Sequence, residues 1–209
     1  MRRLAALLLT GNAPAGAAPP GVDPVVFRRA LAGDVLDVLE DLAGVDTAIV
    51  TTPERRADAD AVRWPSTRVI EIGAAATGGD VVAAGWDRLA ATGYAVAALV
   101  AADSPDVPEL VLAKAFSALS TAAVAAAPAR GGGLVALAAV LPARPWLLGA
   151  GVDLDTTDAV ERLQALAPRR RDVRATLAWR RLRSPADLGA LDRGLEGWEA
   201  TRALLHSGG

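Results

Sequence analysis

Short apolar runs recur along the chain and predict strands. The runs at residues 4–9, 47–50 and 95–101 contain few polar positions, which is typical of strands that are buried on both faces of a parallel sheet. Four more segments are predicted as strands, at residues 68–72, 122–127, 134–141 and 172–179. The sequence therefore predicts a large, mostly parallel sheet.

Helical patterns separate the predicted strands. Asp23 and Pro24 have the residue types of an N-cap and a first helical position, and Gly44 is placed to end that helix. Its apolar residues recur near the 3.6-residue period, at Leu31, Val35, Leu39 and Leu42. Further helices are predicted at 79–92, 108–119, 156–166, 185–191 and 196–205, and the polar segment from 51 to 65 is predicted as a loop. The alternation indicates an α/β fold, a three-layer sandwich formed by a single domain over residues 1–209.

Composition narrows the function classes. The chain has 209 residues, 52% of them hydrophobic, and a net charge of −2 from 22 basic and 24 acidic residues. The chain therefore has no excess of positive charge with which to bind nucleic acid, so we expect no nucleic-acid partner. Cysteine is absent and His206 is the only histidine, which excludes thiol chemistry and makes a His-ligated metal unexpected. Nearly all basic residues are arginine, a bias typical of GC-rich coding, so individual arginines receive little weight.

The first residues allow two interpretations. Arg2 and Arg3 before a short apolar run resemble a secretory signal. The run is short for that role, so we favour a buried strand followed by a loop rich in Gly and Pro. No run approaches the ~20 apolar residues of a membrane span. We expect a cytoplasmic protein without a membrane partner.

Asp103 stands at the end of the most apolar predicted strand. Ligands bind beyond the carboxyl ends of strands in open α/β sheets, and a carboxylate there can hold a divalent cation. The position is expected to be partly exposed in a cleft. The alternative is a turn residue, because Asp-Ser-Pro is good turn chemistry.

The segment AALVAADSPDVPELVLAKAFSAL, residues 97–119, resembles the strand, Gly-x-Asp-x-Pro-x-Leu motif and helix of GT-A-fold nucleotide-diphosphosugar transferases. The pattern is most similar to that of small bacterial radical-SAM-associated or arsenosugar-type glycosyltransferases, which are related to phospholactate guanylyltransferases and molybdenum-cofactor nucleotidylyltransferases. The likeness runs from about residue 4 to residue 191.

The resemblance implies a glycosyl- or nucleotidyltransferase that uses a nucleotide or nucleotide-sugar donor, with Mg²⁺ or Mn²⁺ on the pyrophosphate and Asp103 as a metal ligand. The residues that it implies for nucleotide binding are Thr10, Gly11, Asn12 and Gly16 in the first loop, and Gly131, Gly132 and Gly133 in a later loop that approaches the donor. The alternatives are a flexible connection for the first loop and a tight turn with positive φ for the second.

Three charged family positions are missing here. No cation lies between Thr10 and Asp23, Gly131 replaces the family's loop aspartate, and Arg181 and Arg183 stand where late aspartates are expected. Each lost charge-assisted contact to phosphate forfeits about 1.5–3 kcal/mol. The alternative function is therefore a catalytically degenerate GT-A-like module that acts as a binding or scaffold protein.

A second acidic stretch has the spacing of a metal site. Asp153 and Asp155 are two residues apart, so their carboxylates could share the metal with Asp103. The alternative is helix capping, in which Asp155 or Thr156 caps the next helix and Asp158 complements its dipole.

Two further patterns have structural interpretations. The arginines at 169–171, 180, 181 and 183, next to Trp179, are predicted to form a solvated surface rather than an RNA site. The C-terminal helix has an apolar face that includes Leu195 and Trp198, which predicts packing onto the domain or a homodimer contact.

Overall fold

The computed structural model describes residues 2–11, 17–73, 78–192 and 194–207. Its strands are β1 (Arg3–Leu9), β2 (Asp46–Thr51), β3 (Arg68–Glu71), β4 (Val96–Ala101), β5 (Val124–Pro128), β6 (Leu134–Val140) and β7 (Val173–Ala175). They form one sheet in the order β3-β2-β1-β4-β6-β5-β7. Pairing is parallel except for the two contacts of β6, so the predicted α/β fold with a mostly parallel sheet is confirmed.

The α-helices are α1 (Pro24–Asp41), α2 (Arg56–Val62), α3 (Gly79–Ala90), α4 (Glu109–Ala118), α5 (Pro145–Leu148), α6 (Ala159–Leu166) and α7 (Glu199–Ser207). Asp23 starts α1 as predicted, because its carboxylate accepts the amide N–H groups of Val25 and Val26 at 2.7 and 3.1 Å. Helix α2 lies in the segment that was predicted as a loop. It buries little apolar surface, and ion pairs of Asp58 hold it against α1.

Apolar side chains fill the space on both sides of the sheet. Strand β4 is buried along its whole length, and its residues alternate between the two faces. Val100 packs into the cluster that includes α1 and α4, with Leu36 and Phe116. Leu99 packs on the opposite side, with Trp86 of α3 and Leu163 of α6. The arrangement is a three-layer sandwich.

Several loops meet at one edge of the sheet. The parallel strands β1 to β4 all end there, and β6, which runs the other way, starts there. The chain after β7 crosses this carboxyl edge, where the N–H of Leu182 donates to the carbonyl of Asp103 at 2.8 Å. We call the chain after β7 the C-terminal segment, and its Leu182 side chain packs with Phe27 and Leu31 of α1.

Helix α7 packs on α1. Asp34 of α1 is buried, and its carboxylate accepts the N–H groups of Ala200 and Thr201 at 3.0 and 2.8 Å. Trp198, just before α7, is also buried. Helix α7 and the residue before it therefore contact α1.

In the part of the chain that the structure describes, no helix is long and apolar enough to cross a membrane.

Candidate functional site

Asp103 lies two residues beyond β4, at the predicted carboxyl end of a central strand. It is only 2% exposed. The expectation of a partly exposed carboxylate in a cleft is therefore wrong. The cause is the C-terminal segment, which runs over this strand end and brings Arg181 and Leu182 against Asp103.

Arg181 occupies both oxygens of Asp103. Its Nε donates to Oδ1 at 2.6 Å and its Nη2 donates to Oδ2 at 2.9 Å, so the pair is bidentate. The Nη1 group donates to the carbonyls of Leu134 and Leu154 at 3.1 and 2.7 Å. Arg181 thus joins the ends of β4 and β6 to the loop before α6.

The same guanidinium separates the aspartates that were predicted to share a metal. Nη1 of Arg181 lies 2.9 Å from Oδ1 of Asp155, on the side of the guanidinium away from the Asp103 pair. Within the described ranges, no group of three Asp, Glu, His or Cys side chains is placed to hold a metal ion. The guanidinium on both oxygens of this buried carboxylate places a positive charge where a divalent cation would have to bind, and like charges in one site repel each other. The residues present at Asp103 do not fit a divalent metal.

Asp153 and Asp158 have local roles. The Asp153 carboxylate accepts the N–H of Asp155 at 2.9 Å and the hydroxyl of Thr156 at 2.7 Å, so it stabilises a turn. Asp158 occupies the N-cap position of α6 without a side-chain capping bond and pairs with Arg162 at 3.1 Å. The predicted cap by Asp155 or Thr156 is wrong, because the helix begins at Ala159.

Charge interactions stabilise the ionised forms at this edge. Burial opposes the charge of Arg181, but the carboxylates of Asp103 and Asp155 outweigh it and raise the pKa of Arg181. Burial also opposes ionisation of Asp187, but hydrogen bonds from the Arg183 N–H and from Ser184 lower its pKa. The segment that covers the strand end is therefore held by the ion pairs of Arg181 and by hydrogen bonds to the ionised Asp187.

The predicted glycine loop lies next to Arg183 and the loop that contains Leu154. Gly131, Gly132 and Gly133 have φ values of 85°, 101° and 77°, a region that favours glycine. A Cβ at Gly133 would lie 2.6 Å from Nη2 of Arg183 and from the carbonyl oxygen of Leu154. The glycines therefore permit close packing in a tight turn, and their role toward a nucleotide stays a prediction.

Arg183 lies at the same edge and has two donors without a hydrogen bond in the described part of the chain. Its Nε and Nη2 are buried and make no hydrogen bond with the residues that the structure describes. Nε lies 3.9 Å from Oδ1 of Asp155. Burial, and then the charge of Arg181, lower its pKa. The Arg183 side chain as a whole is 32% exposed, so its positive charge next to the glycine turn can attract an anionic ligand.

The first loop is described only in part. Asn12 and Gly16 lie outside the described residues, whereas Thr10 and Gly11 are visible after β1. The carbonyl of Gly11 accepts the Nε–H of Arg55 at 2.7 Å. The first amides of α1, an expected anion site next to this loop, are bound to the Asp23 carboxylate.

Sequence reasoning missed a cluster beside that loop. Arg28, Arg29 and Arg55 surround the carboxylate of Asp58, with shortest N–O distances of 4.0, 2.7 and 3.2 Å. We call these four residues the Asp58 cluster. Individual arginines were given little weight because of the composition. The signal lay in position: Arg28 and Arg29 fall in the first turns of α1, and Arg55 follows the carboxyl end of β2.

The arginines near Trp179 are also not all solvated. Arg180 packs over the Trp179 ring at 4.5 Å, and its Nε lies 3.2 Å from Oδ2 of the buried Asp106. Asp106 also accepts the indole N–H of Trp179 at 3.1 Å. Arg181 is buried as well, so the predicted solvated surface is wrong for Arg180 and Arg181.

The mostly parallel seven-stranded sheet flanked by helices matches the fold of solved structures that are named as nucleotidyl- and nucleotide-sugar transferases. Residues 35–151 match the profile of a family described as an uncharacterized protein conserved in bacteria, DUF2064. The chain belongs to the DUF2064 family.

Solved structures with this fold include a proposed nucleotide-diphospho-sugar transferase from Desulfovibrio desulfuricans G20, at 18% identity and a TM-score of 0.70, with 99% of this chain and 95% of that chain covered. A 4-diphosphocytidyl-2C-methyl-D-erythritol synthase from Anaerococcus prevotii DSM 20548 is similar at 10% identity and a TM-score of 0.64, with 98% and 96% covered. A Mycobacterium tuberculosis H37Rv protein in complex with manganese is similar at 16% identity and a TM-score of 0.55, with 99% and 100% covered. No curated protein matches the chain.

Proposed function

We propose that the chain binds a nucleotide or a nucleotide-activated sugar at the carboxyl edge of its sheet, without a divalent metal ion. The observation that carries this proposal is the bidentate pair of Asp103 and Arg181, which fills the strand end with a guanidinium. The protein then acts as a binding module with a transferase fold, in which fixed cations rather than a metal face the ligand.

Two features support a nucleotide as the ligand. The proteins that share this fold bear the names of nucleotidyl- and nucleotide-sugar transferases. Arg183 places a partly exposed guanidinium next to the glycine turn at 131–133, and guanidinium groups recognise phosphate oxygens with good geometry. Arg183 is the group that we expect to contact the ligand.

A metal-dependent glycosyl- or nucleotidyltransferase is the second candidate. It is favoured by the manganese complex of the Mycobacterium tuberculosis protein. In this chain Asp153 and Asp155 would have to bind the metal away from Asp103, since the guanidinium of Arg181 contacts both oxygens of Asp103.

Calorimetry with nucleoside triphosphates and nucleotide sugars tests the proposal. We expect at least one of them to bind with the same dissociation constant in EDTA as in Mn²⁺. Arg183→Ala is expected to weaken that binding at least tenfold, since a charge-assisted bond contributes about 1.5–3 kcal/mol. Arg171→Ala, at an exposed arginine, is the matched control and is expected to bind normally. Binding that needs Mn²⁺ would favour the transferase instead.

A further inference from the structure

The Asp58 cluster carries more positive charge than its carboxylate neutralises. Three guanidinium groups surround one carboxylate, at distances of 4.0 Å for Arg28, 2.7 Å for Arg29 and 3.2 Å for Arg55. One close partner would satisfy Asp58 in a structural ion pair. The second and third arginines bring like charges together, which is unfavourable unless another anion joins them.

Burial strengthens this effect. The Arg28 and Arg55 side chains are 15% and 16% exposed, whereas Arg29 is 39% exposed and reaches solvent. Burial, followed by the charge of Arg55, lowers the pKa of Arg28. Asp23 also faces Arg28, but its carboxylate already accepts two amides of α1. Positive charge that is partly shielded from water attracts an anion more strongly than the same charge on an open surface.

The cluster lies beside the carboxyl end of β1, and ligands of open α/β sheets bind at the carboxyl ends of the strands. Arg55 donates to the carbonyl of Gly11, directly after β1, and Leu9 at the end of β1 lies with Arg28, Arg29 and Asp58 around one small cavity. The first loop has no cation of its own between Thr10 and Asp23. The fold thus brings cations from α1 and from the turn before α2 to a loop that lacks them in sequence.

We infer that the Asp58 cluster binds phosphate groups of the nucleotide, with Arg29 as the contacting side chain. The inference rests on the proposed function, because it takes the ligand to be a nucleotide. Arg29 is the most exposed member, and its guanidinium is oriented by Asp58 through Nε. A planar guanidinium held in this way presents its outer N–H groups to two phosphate oxygens at once.

The test is calorimetry with inorganic pyrophosphate in EDTA, at 50 and 200 mM salt. The wild type is expected to bind pyrophosphate more weakly at the higher salt concentration, because the contact is ionic. Arg29→Ala is expected to weaken binding at least tenfold, and Arg29→Lys to recover part of it, since lysine keeps the charge without the planar geometry. Arg63→Ala is the matched control, because Arg63 pairs with Asp60 on the surface of α2. Melting temperatures verify that each variant is folded.

The outcomes separate the two proposals. Pyrophosphate binding that Arg29→Ala leaves unchanged, or a wild type that binds no pyrophosphate, overturns the inference about the cluster. Nucleotide binding that depends on Arg183 but not on Arg29 supports the proposed function and overturns the inference. Pyrophosphate binding that depends on Arg29, in a protein that binds no nucleotide, supports an anion site and contradicts the proposed function.

Discussion

Asp103 and Arg181 form a buried ion pair with both charges satisfied. The two side chains are 2% and 6% exposed, and carbonyls of Leu134 and Leu154 complete the hydrogen bonding of the guanidinium. Burying two charges is unfavourable, so such a pair contributes little net stability compared with an apolar pair. Removal of one partner lowers stability strongly, because the other charge remains buried and unpaired.

Asp103→Asn is therefore expected to destabilise the protein by about 3–5 kcal/mol, since the charge of Arg181 loses its counterion. For a protein of this size, about 2–4 °C per kcal/mol lowers the melting temperature by roughly 6–20 °C. Thermal unfolding in EDTA measures the change. If Asp103 were only a turn residue, the substitution would cost on the order of 1 kcal/mol. A melting temperature only about 2–4 °C below that of the wild type would therefore contradict the buried pair.

The double variant Asp103→Leu, Arg181→Met is the control for this prediction. It removes both charges and is expected to be more stable than Asp103→Asn. The carbonyl of Leu154 still accepts the N–H of Leu134 at 2.8 Å, whereas the carbonyl of Leu134 loses the donor from Arg181. The double variant is therefore expected to stay about 1–3 kcal/mol below the wild type. A double variant less stable than Asp103→Asn would mean that charge pairing is not what the single substitution removes.

At the scale of elements, contacts with α1 position the C-terminal helix α7. Asp34 of α1 accepts the N–H groups of Ala200 and Thr201 at the start of α7, and Leu182 packs against the N-terminal half of α1. The C-terminal segment is thereby held at both of its ends, where it crosses the carboxyl edge and where it terminates. This explains how Arg181 stays in place over Asp103.

Asp34→Ala is expected to lower the free energy of unfolding by about 1 kcal/mol, through loss of the cap on α7. Burial raises the pKa of Asp34, because it outweighs the hydrogen bonds from Thr201 and Ala200, which act in the opposite direction. Because the pKa of Asp34 is higher in the folded than in the unfolded protein, its protonation favours folding. This contribution is complete at a pH below the unfolded-state pKa of about 4, and it is lost as the pH rises through the folded-state pKa.

Urea unfolding across pH 3 to 7 and hydrogen exchange of α7 measure both effects. The wild type is expected to gain stability relative to Asp34→Ala as the pH falls, and the amides of α7 to exchange faster in the variant. Asp41→Ala, at an exposed carboxylate on the same helix, is the control and is expected to lie within about 0.5 kcal/mol of the wild type. Unchanged exchange in α7 would show that Asp34 does not hold it.

At the scale of the whole molecule, local patterns were enough to predict the sheet and most of its helices. Helix α1 was predictable because Asp23, Pro24 and the apolar period all lie within a few residues of one another. Helix α2 was not, because its seven residues show no apolar stripe and depend on ion pairs with α1.

The site was less predictable, because its contacts join distant segments. Arg181 and Asp103 are 78 residues apart, and no local pattern indicates which of 21 arginines would reach a given carboxylate. The Asp58 cluster similarly joins α1 to the turn after β2. The strand-end position of Asp103 was predictable from the apolar run before it, whereas its burial depended on the course of the C-terminal segment.

The central claim is that a guanidinium stands where a divalent cation would bind. Electron paramagnetic resonance of Mn²⁺ measures this directly, since bound Mn²⁺ reduces the signal of the free ion. We predict that the wild type leaves the free Mn²⁺ signal unchanged at equimolar concentrations. One Mn²⁺ bound per chain, and lost in Asp155→Ala or Asp103→Asn, would contradict the claim.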